Sequence, residues 1–205
     1  MKNSLLFTLL IISACTAKEQ QNIKTHDGAD TAAGKTVNFL WRENQYDAEL
    51  KDTVNTIVIN EAFCKNMSDA EKAALGFVGT FIGSECWWDG EAKEDRSNLK
   101  CKILTSLNLG YQCSEQHIGF LKQWFKNDKT ALEKLNDCPT IPYTATIQET
   151  FNDIRLTTKG DKITVWYAAS GVNLREEQEW DWTEEITFQV NGNDLNIIEQ
   201  KSSRE

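Results

Sequence analysis

The sequence DIRLTTKGDKITV occupies residues 153–165, and EITFQVNGNDLNI occupies residues 185–197. In both stretches apolar and polar side chains alternate around a polar turn with a glycine, which predicts a β-hairpin with one buried face. Asn191-Gly192 strengthens the second prediction, because a type I′ turn needs two residues that tolerate positive φ. The stretches align at an offset of 32 residues, through either an internal duplication or convergence on one hairpin pattern. Either origin predicts an antiparallel sheet of at least four strands.

Helical periodicity precedes these hairpins. The stretch from Ser68 to Glu71 reads SDAE, which is a capping box, and apolar residues follow it at spacings of three and four up to Ile82. Three further helices are predicted over residues 98–109, which end at Gly110, over 115–126, which start at Ser114, and over 129–136, which start at Asp128. Short connections between them favour antiparallel neighbours.

The order of these elements predicts an α+β fold. A disulfide-stapled helical section of about four helices (about 64–138) is followed by the antiparallel sheet of two hairpins (about 143–200). Residues 36–63 contain two short β-prone runs, VNFLW and TIVI, which form a lead-in segment. All of these elements fit within a single domain of residues 36–205.

Three glycines in the first predicted helix, Gly76, Gly79 and Gly83, share one face. Each glycine inside a helix costs up to about 1 kcal/mol relative to alanine. We therefore expect a close approach at the first two, either by a neighbouring helix or the sheet or by a docked partner. Gly83 fits the C-terminal stop of the helix.

The N-terminus has the parts of a secretory signal. An apolar run from Leu5 to Ile12, far shorter than the roughly 20 residues that span a bilayer, is followed by two small residues and Cys15. The stretch Ile12-Ser13-Ala14-Cys15 resembles the lipobox of bacterial lipoprotein precursors. The resemblance implies that residues 1–14 are cleaved as a signal peptide and that Cys15 carries lipid on its sulfur and an acylated N-terminus.

This resemblance predicts a location in the cell envelope, anchored to a membrane through Cys15. Thr16 provides no acidic signal for retention in the inner membrane, so the expected site is the outer membrane. From Thr16 to Lys35 the chain is polar, with Ile23 as its one large apolar residue. Such a composition buries too little surface to fold, so residues 15–35 are predicted to be a lipidated flexible tether.

With Cys15 set aside, an odd number of cysteines remains: Cys64, Cys86, Cys101, Cys113 and Cys138. Export makes disulfides the expected state. A helix keeps Cys101 and Cys113 roughly 12 Å apart along its axis, which exceeds the Cα separation of about 7 Å that a disulfide allows. We therefore expect a Cys86–Cys101 bond and one bond among the other three, with Cys113–Cys138 preferred.

The formal net charge of −9 bears on the kind of partner. It argues against nucleic acid and anionic lipid as ligands, since both require a basic surface, and it is compatible with a basic protein. In the predicted strand, Glu177, Glu179 and Asp181 alternate with Trp180 and Trp182, which places indoles on the core and carboxylates in water. A basic partner would relieve the repulsion along the acidic face, which is otherwise a solvated surface.

Two further pairs of residues are candidates for binding. Trp87 and Trp88 lie in a predicted loop, where they either cover the disulfide and the sheet or form a platform for a sugar or a protein partner. Cys113 and His117 have the spacing of metal ligands. A disulfide-bonded cysteine and a helix-surface histidine explain the same spacing, and we favour that interpretation, with no metal.

No catalytic residue is predicted. The chain has two histidines, of which His26 lies in the tether, and it lacks the G-x-S-x-G, H-E-x-x-H and glycine-rich phosphate-loop motifs. The sequence indicates no cofactor. The leading hypothesis is a non-catalytic binding module, such as an inhibitor or immunity-type lipoprotein directed at a basic hydrolase or toxin. The alternatives are a carbohydrate- or solute-binding surface lipoprotein and an envelope hydrolase with an unrecognised site.

Overall fold

The computed structural model describes residues 34–82, 99–138 and 146–204, except for the side chains of residues 99–101. The strands in these ranges are β1 (Lys35–Asp47), β2 (Asp52–Ile59), β3 (Ile147–Lys159), β4 (Lys162–Asn173), β5 (Gln178–Val190) and β6 (Leu195–Arg204). The helices are α1 (Glu61–Asn66), α2 (Asp69–Phe81), α3 (Leu99–Ser106), α4 (Glu115–Trp124) and α5 (Lys129–Asn136). The predicted mixture of helices with an antiparallel sheet is confirmed. No helix in these ranges is long and apolar enough to cross a membrane.

The sheet has six strands, which confirms the predicted antiparallel sheet of at least four strands and adds two strands to the predicted hairpins. Its strand order is β2-β1-β3-β4-β5-β6, and every neighbouring pair is antiparallel. The β-prone runs VNFLW and TIVI belong to β1 and β2, and β1 pairs with β3, so this segment is part of the sheet and not a lead-in. The helical section within the described ranges also has five helices instead of about four, because the six-residue α1 is too short to show a helical period.

Local capping signals explain where the helices begin. The Ser68 backbone N–H donates to Glu71 Oε2 at 2.9 Å, and the Glu71 backbone N–H donates to Ser68 Oγ at 3.3 Å, which completes the predicted capping box. The other carboxylate oxygen of Glu71 accepts a hydrogen bond from Thr158 Oγ1 of β3 at 2.8 Å. The cap of α2 therefore also holds this helix on the sheet.

Aromatic packing joins the helices to one face of the sheet. The ring centroid of Phe77 on α2 lies 4.7 Å from that of Phe125, at the end of α4, and 6.1 Å from that of Phe188 on β5. All three side chains are buried. The core therefore lies between the helices and the sheet face that carries Val165 and Phe188.

The glycines of α2 allow close helix packing. A Cβ atom at Gly76 would lie 2.6 Å from Leu109 Cδ1, and one at Gly79 would lie 3.0 Å from Ile103 Cγ2. The predicted close approach is confirmed at both positions, and the neighbour is α3 and the segment that follows it. Gly83 lies outside the described residues.

Both predicted hairpins are present, but the second has a different turn. Lys159 pairs with Lys162, so β3 and β4 are joined by two residues, of which Gly160 has a φ of +60°. Four residues, 191–194, join β5 to β6, and Gly192 is the one that has positive φ, so the predicted type I′ turn at Asn191-Gly192 is wrong. The longer loop lets Asp194 Oδ2 accept a hydrogen bond from Asn127 Nδ2 at 2.9 Å, which ties the loop to the start of α5.

Candidate functional site

The cysteines have separate environments. Cys113 and Cys138 form a disulfide with a Cα–Cα distance of 5.9 Å, which confirms the preferred pair. Cys64 on α1 is a free, half-buried thiol. Cys86 and the side chain of Cys101 lie outside the described residues, so the Cys86–Cys101 bond stays a prediction. The lipidation site at Cys15 and the indole pair of residues 87–88 also lie outside the described residues and stay predictions.

His117 is buried and not on the helix surface as the sequence suggested. Its Nδ1 accepts a hydrogen bond from the Cys113 backbone N–H at 3.0 Å, so its proton is on Nε2, 2.9 Å from Thr80 Oγ1. The spacing of four residues between His117 and Leu121 puts both on the core side of α4. Because Cys113 is disulfide-bonded and His117 holds the backbone before α4, the two residues do not form a metal-binding pair.

Carboxylates are concentrated at the end of the sheet that is remote from α1 and α5. The β1–β2 turn, the β4–β5 turn, the start of β3 and the end of β6 meet there, as the Leu174 N–H to Thr146 carbonyl bond of 2.8 Å and the Trp182–Arg204 pairing indicate. We call this region the acidic end. Its carboxylates are Asp47, Glu49, Asp52, Glu149, Glu176, Glu177, Glu179 and Asp181, and its cations are Lys51, Arg175 and Arg204.

The predicted alternation along β5 is confirmed in part. Glu179 and Asp181 are exposed, whereas Trp180 and Trp182 are partly buried on the opposite face. Glu177 precedes the strand and has a φ of +53°, so the prediction that it shares their strand face is wrong. It belongs to the turn because the strand does not begin until the next residue.

Trp180 lies directly on the backbone of β4. It pairs with Gly171, and a Cβ atom at that glycine would lie 2.3 Å from Trp180 Cε2, far inside van der Waals contact. Trp182 pairs with Ala169 and packs against the core. Small residues on β4 therefore let two indoles lie side by side on the helix-bearing face.

We predict that Gly171→Ala displaces the Trp180 ring and lowers the free energy of unfolding by about 1–3 kcal/mol, because an added methyl group overpacks this contact. Chemical denaturation measures the stability, and the NMR signal of the Trp180 indole N–H, assigned with Trp180→Phe, measures the displacement. The matched control is Gly119→Ala on α4, where a Cβ atom meets nothing within 4 Å and stability should rise by up to about 1 kcal/mol. Wild-type stability with an unmoved indole signal in Gly171→Ala would contradict the prediction.

A hydrogen-bonded group lies next to the two indoles, at the neighbouring cross-strand pair Tyr167–Glu184 on the same sheet face. Tyr167 Oη donates to Glu184 Oε2, and Gln200 Nε2 donates to Glu184 Oε1. Burial, and then the adjacent Glu184, raise the pKa of Tyr167, so this hydroxyl remains a neutral donor at physiological pH. Both Glu184 oxygens accept a hydrogen bond, and Tyr167 is also hydrogen-bonded to Trp182, so the group connects β4, β5 and β6 beside this indole.

At the acidic end, β5 and not β6 forms the edge of the sheet among the described residues. Pairing of β5 with β6 stops at Trp182, so Gln178–Asp181 has β4 as its one strand neighbour within the described ranges. Among the described residues no strand pairs with the outer side of this segment, and a strand edge of this kind can accept a partner strand. The segment presents carboxylates on one face, indoles on the other and backbone polar groups between them.

The free thiol of Cys64 gives a pH-dependent prediction. Burial raises its pKa, and a hydrogen bond with Ser106 opposes that effect more weakly. At pH 8 we expect iodoacetamide to modify Cys64 severalfold more slowly in the folded chain than in urea, with the rate rising as pH passes above the ordinary cysteine value. Peptide mapping by mass spectrometry follows this cysteine alone, and equal rates in the folded and unfolded chains would contradict the prediction.

No family model, no curated protein and no solved structure matches this chain.

Proposed function

We propose that this protein is a lipoprotein of the cell envelope that binds a basic protein through its acidic end and catalyses no reaction. The observation that carries the proposal is the exposure of Glu179 and Asp181 without a cationic partner in the described part of the chain. Both are exposed beside the open edge of β5, and neither takes part in an ion pair within the described ranges.

Three features of the acidic end favour a basic protein over a neutral one. Carboxylates outnumber cations there, which steers a cationic surface toward it and speeds encounter. The open edge of Gln178–Asp181 can accept a strand from a partner, as in β-augmentation. The partly exposed indole of Trp180, on the opposite sheet face from these carboxylates, can stabilise a lysine or arginine side chain.

The biological role that suits this surface is protection. An anchored acidic domain on the membrane can block a basic hydrolase or toxin by covering its cationic surface. The anchor is Cys15, and the tether that precedes β1 supports reach from the membrane. Mass spectrometry of the mature N-terminus tests the anchor: we expect diacylglyceryl and acyl groups on Cys15, and an unmodified cysteine would contradict it.

Charge reversal tests the binding surface. The full chain is titrated against a panel of basic secreted hydrolases, with lysozyme as the first probe, and enzyme inhibition and affinity are measured. Glu179→Lys combined with Asp181→Lys should weaken binding at least about tenfold, or about 1.4 kcal/mol, and the wild-type affinity should fall steeply with salt.

The matched control makes the same change of charge at α5 and its C-cap, away from the acidic end. Glu133→Lys combined with Asp137→Lys replaces one exposed glutamate and one exposed aspartate, so both double variants have the same net charge. An equal loss in the two variants would mean that net charge alone attracts the partner and would refute the acidic end as the site. Failure of every panel member to bind would also count against the proposal.

Carbohydrate binding is the second candidate function. It is favoured by the close contact of the Trp180 indole with Gly171, since an indole that is fixed in place and partly exposed can stack on the apolar face of a sugar. Glu149, on the same face, can accept hydrogen bonds from sugar hydroxyls. Binding that survives high salt, quenches tryptophan fluorescence and is lost in Trp180→Ala would favour this candidate over a basic protein.

A further inference from the structure

A cleft separates α1 and β2 from α3, at the opposite end of the sheet from the acidic end. Its volume is about 480 Å³, within the range of roughly 300–1,000 Å³ that is typical of small-molecule sites. Ile57 and Ile59 of β2 and the half-buried Cys64 of α1 form an apolar lining. This region is independent of the surface assigned to the basic protein.

The polar part of the cleft is cationic. Lys65 and Lys102 line it, both are exposed, and neither forms an ion pair within the part of the chain that the structure describes. Glu61 also lines the cleft but lies in the first turn of α1, where the helix dipole stabilises a carboxylate. The Ser106 hydroxyl donates its proton to the Ile103 carbonyl at 2.8 Å, so it is not free to donate to a ligand in the cleft. Two ammonium groups thus lie beside an apolar lining on a chain of net charge −9.

We infer that this cleft binds a single-chain carboxylate amphiphile, with the alkyl chain on Ile57 and Ile59 and the carboxylate between Lys65 and Lys102. Burial of the chain supplies about 0.8 kcal/mol for each methylene, and the two ammonium groups select the anion. If each non-hydrogen atom takes roughly 30 Å³, the share of liquid volume that one water molecule occupies, the cleft has room for a carboxylate with a chain of about 10 carbons.

Decanoate is the probe, used below its micelle concentration, and decanol is its uncharged analogue. Isothermal titration calorimetry on the full chain should give a dissociation constant of about 1 mM or tighter for decanoate, and binding of decanol at least about tenfold weaker. Decanoate should also slow the alkylation of Cys64, because the thiol lines the same cleft. Peptide mapping reads out that protection at one residue.

Two variants and a control complete the test. Lys65→Glu with Lys102→Glu should weaken decanoate at least about tenfold, whereas Lys126→Glu with Lys134→Glu, which makes the same charge change at exposed positions near α5, should not. Thr105→Trp, at an exposed lining position, should block the cleft without disturbing the core. The inference is overturned by absence of decanoate binding, by equal affinity for decanol, by equal loss in the control pair, or by binding that leaves Cys64 unprotected.

Discussion

Phe77→Ala is expected to lower the free energy of unfolding by about 3–5 kcal/mol, because it removes a buried aromatic ring from the centre of the core. The Phe77 ring is 2% exposed and contacts Phe81, Phe125 and Phe188, so it joins α2, the end of α4 and β5. Its removal leaves a cavity that three elements border, and the edge-to-face contacts are lost with it. Urea denaturation followed by far-UV circular dichroism measures the loss.

The control for this prediction is Phe81→Ala, one helical turn further along α2. Phe81 is partly exposed, and its ring packs edge-on against that of Phe77, so we expect a loss well below that of Phe77→Ala. Equal losses at the two positions would mean that Phe77 does not join the helices to the sheet.

The second large effect is expected from the disulfide. Cys138→Ser should lower the free energy of unfolding by about 3.5 kcal/mol, the loop-closure value for cysteines that are 25 residues apart. The bond closes a loop that contains α4 and α5, and Cys113 has a φ of +60° and donates its N–H to buried His117. Thermal and urea denaturation under non-reducing conditions measure the change.

Cys64→Ser is the matched control for the disulfide, because it replaces a half-buried free thiol with the same hydroxyl. The free energy of unfolding should fall by about 2 kcal/mol less, or by a still smaller amount, in Cys64→Ser than in Cys138→Ser. A reducing agent should lower the stability of the wild-type chain and of Cys64→Ser by more than that of Cys138→Ser, because only the first two retain the Cys113–Cys138 bond. Equal stability of the two serine variants would contradict the bond between Cys113 and Cys138.

The elements that the sequence predicted are those with local signals. The N-caps of α2, α4 and α5 are Ser68, Ser114 and Asp128, whose side chains accept hydrogen bonds from backbone N–H groups of the first turn. The two hairpins follow from strict alternation and glycine turns. The place of β1 was not predictable, because it pairs with β3 about 120 residues away, as the Thr36–Thr157 hydroxyl contact illustrates. No local pattern specifies such pairing.

The features of the candidate site also separate into those that a local pattern predicts and those that depend on the pairing of distant strands. Exposure of Glu179 and Asp181 and the opposite placement of the indoles follow from period-two alternation alone. The contact of Trp180 with Gly171 depends on the register between β4 and β5, although a glycine inside an apolar strand is a signal of close approach. The sequence predicts a helix-surface histidine at position 117, whereas the spacing of four between His117 and Leu121 is consistent with the burial that the structure has.

Site-specific photo-crosslinking in living cells tests the central claim most directly. A photoreactive phenylalanine analogue is placed at Asp181 on the acidic end, and at Asp137 beside α5 as the control, and crosslinked proteins are identified by mass spectrometry. We predict one dominant protein of basic isoelectric point, captured from residue 181 and not from residue 137, with capture reduced by high salt. Capture of the same proteins from both positions, or of an acidic or neutral protein from residue 181, would contradict the account.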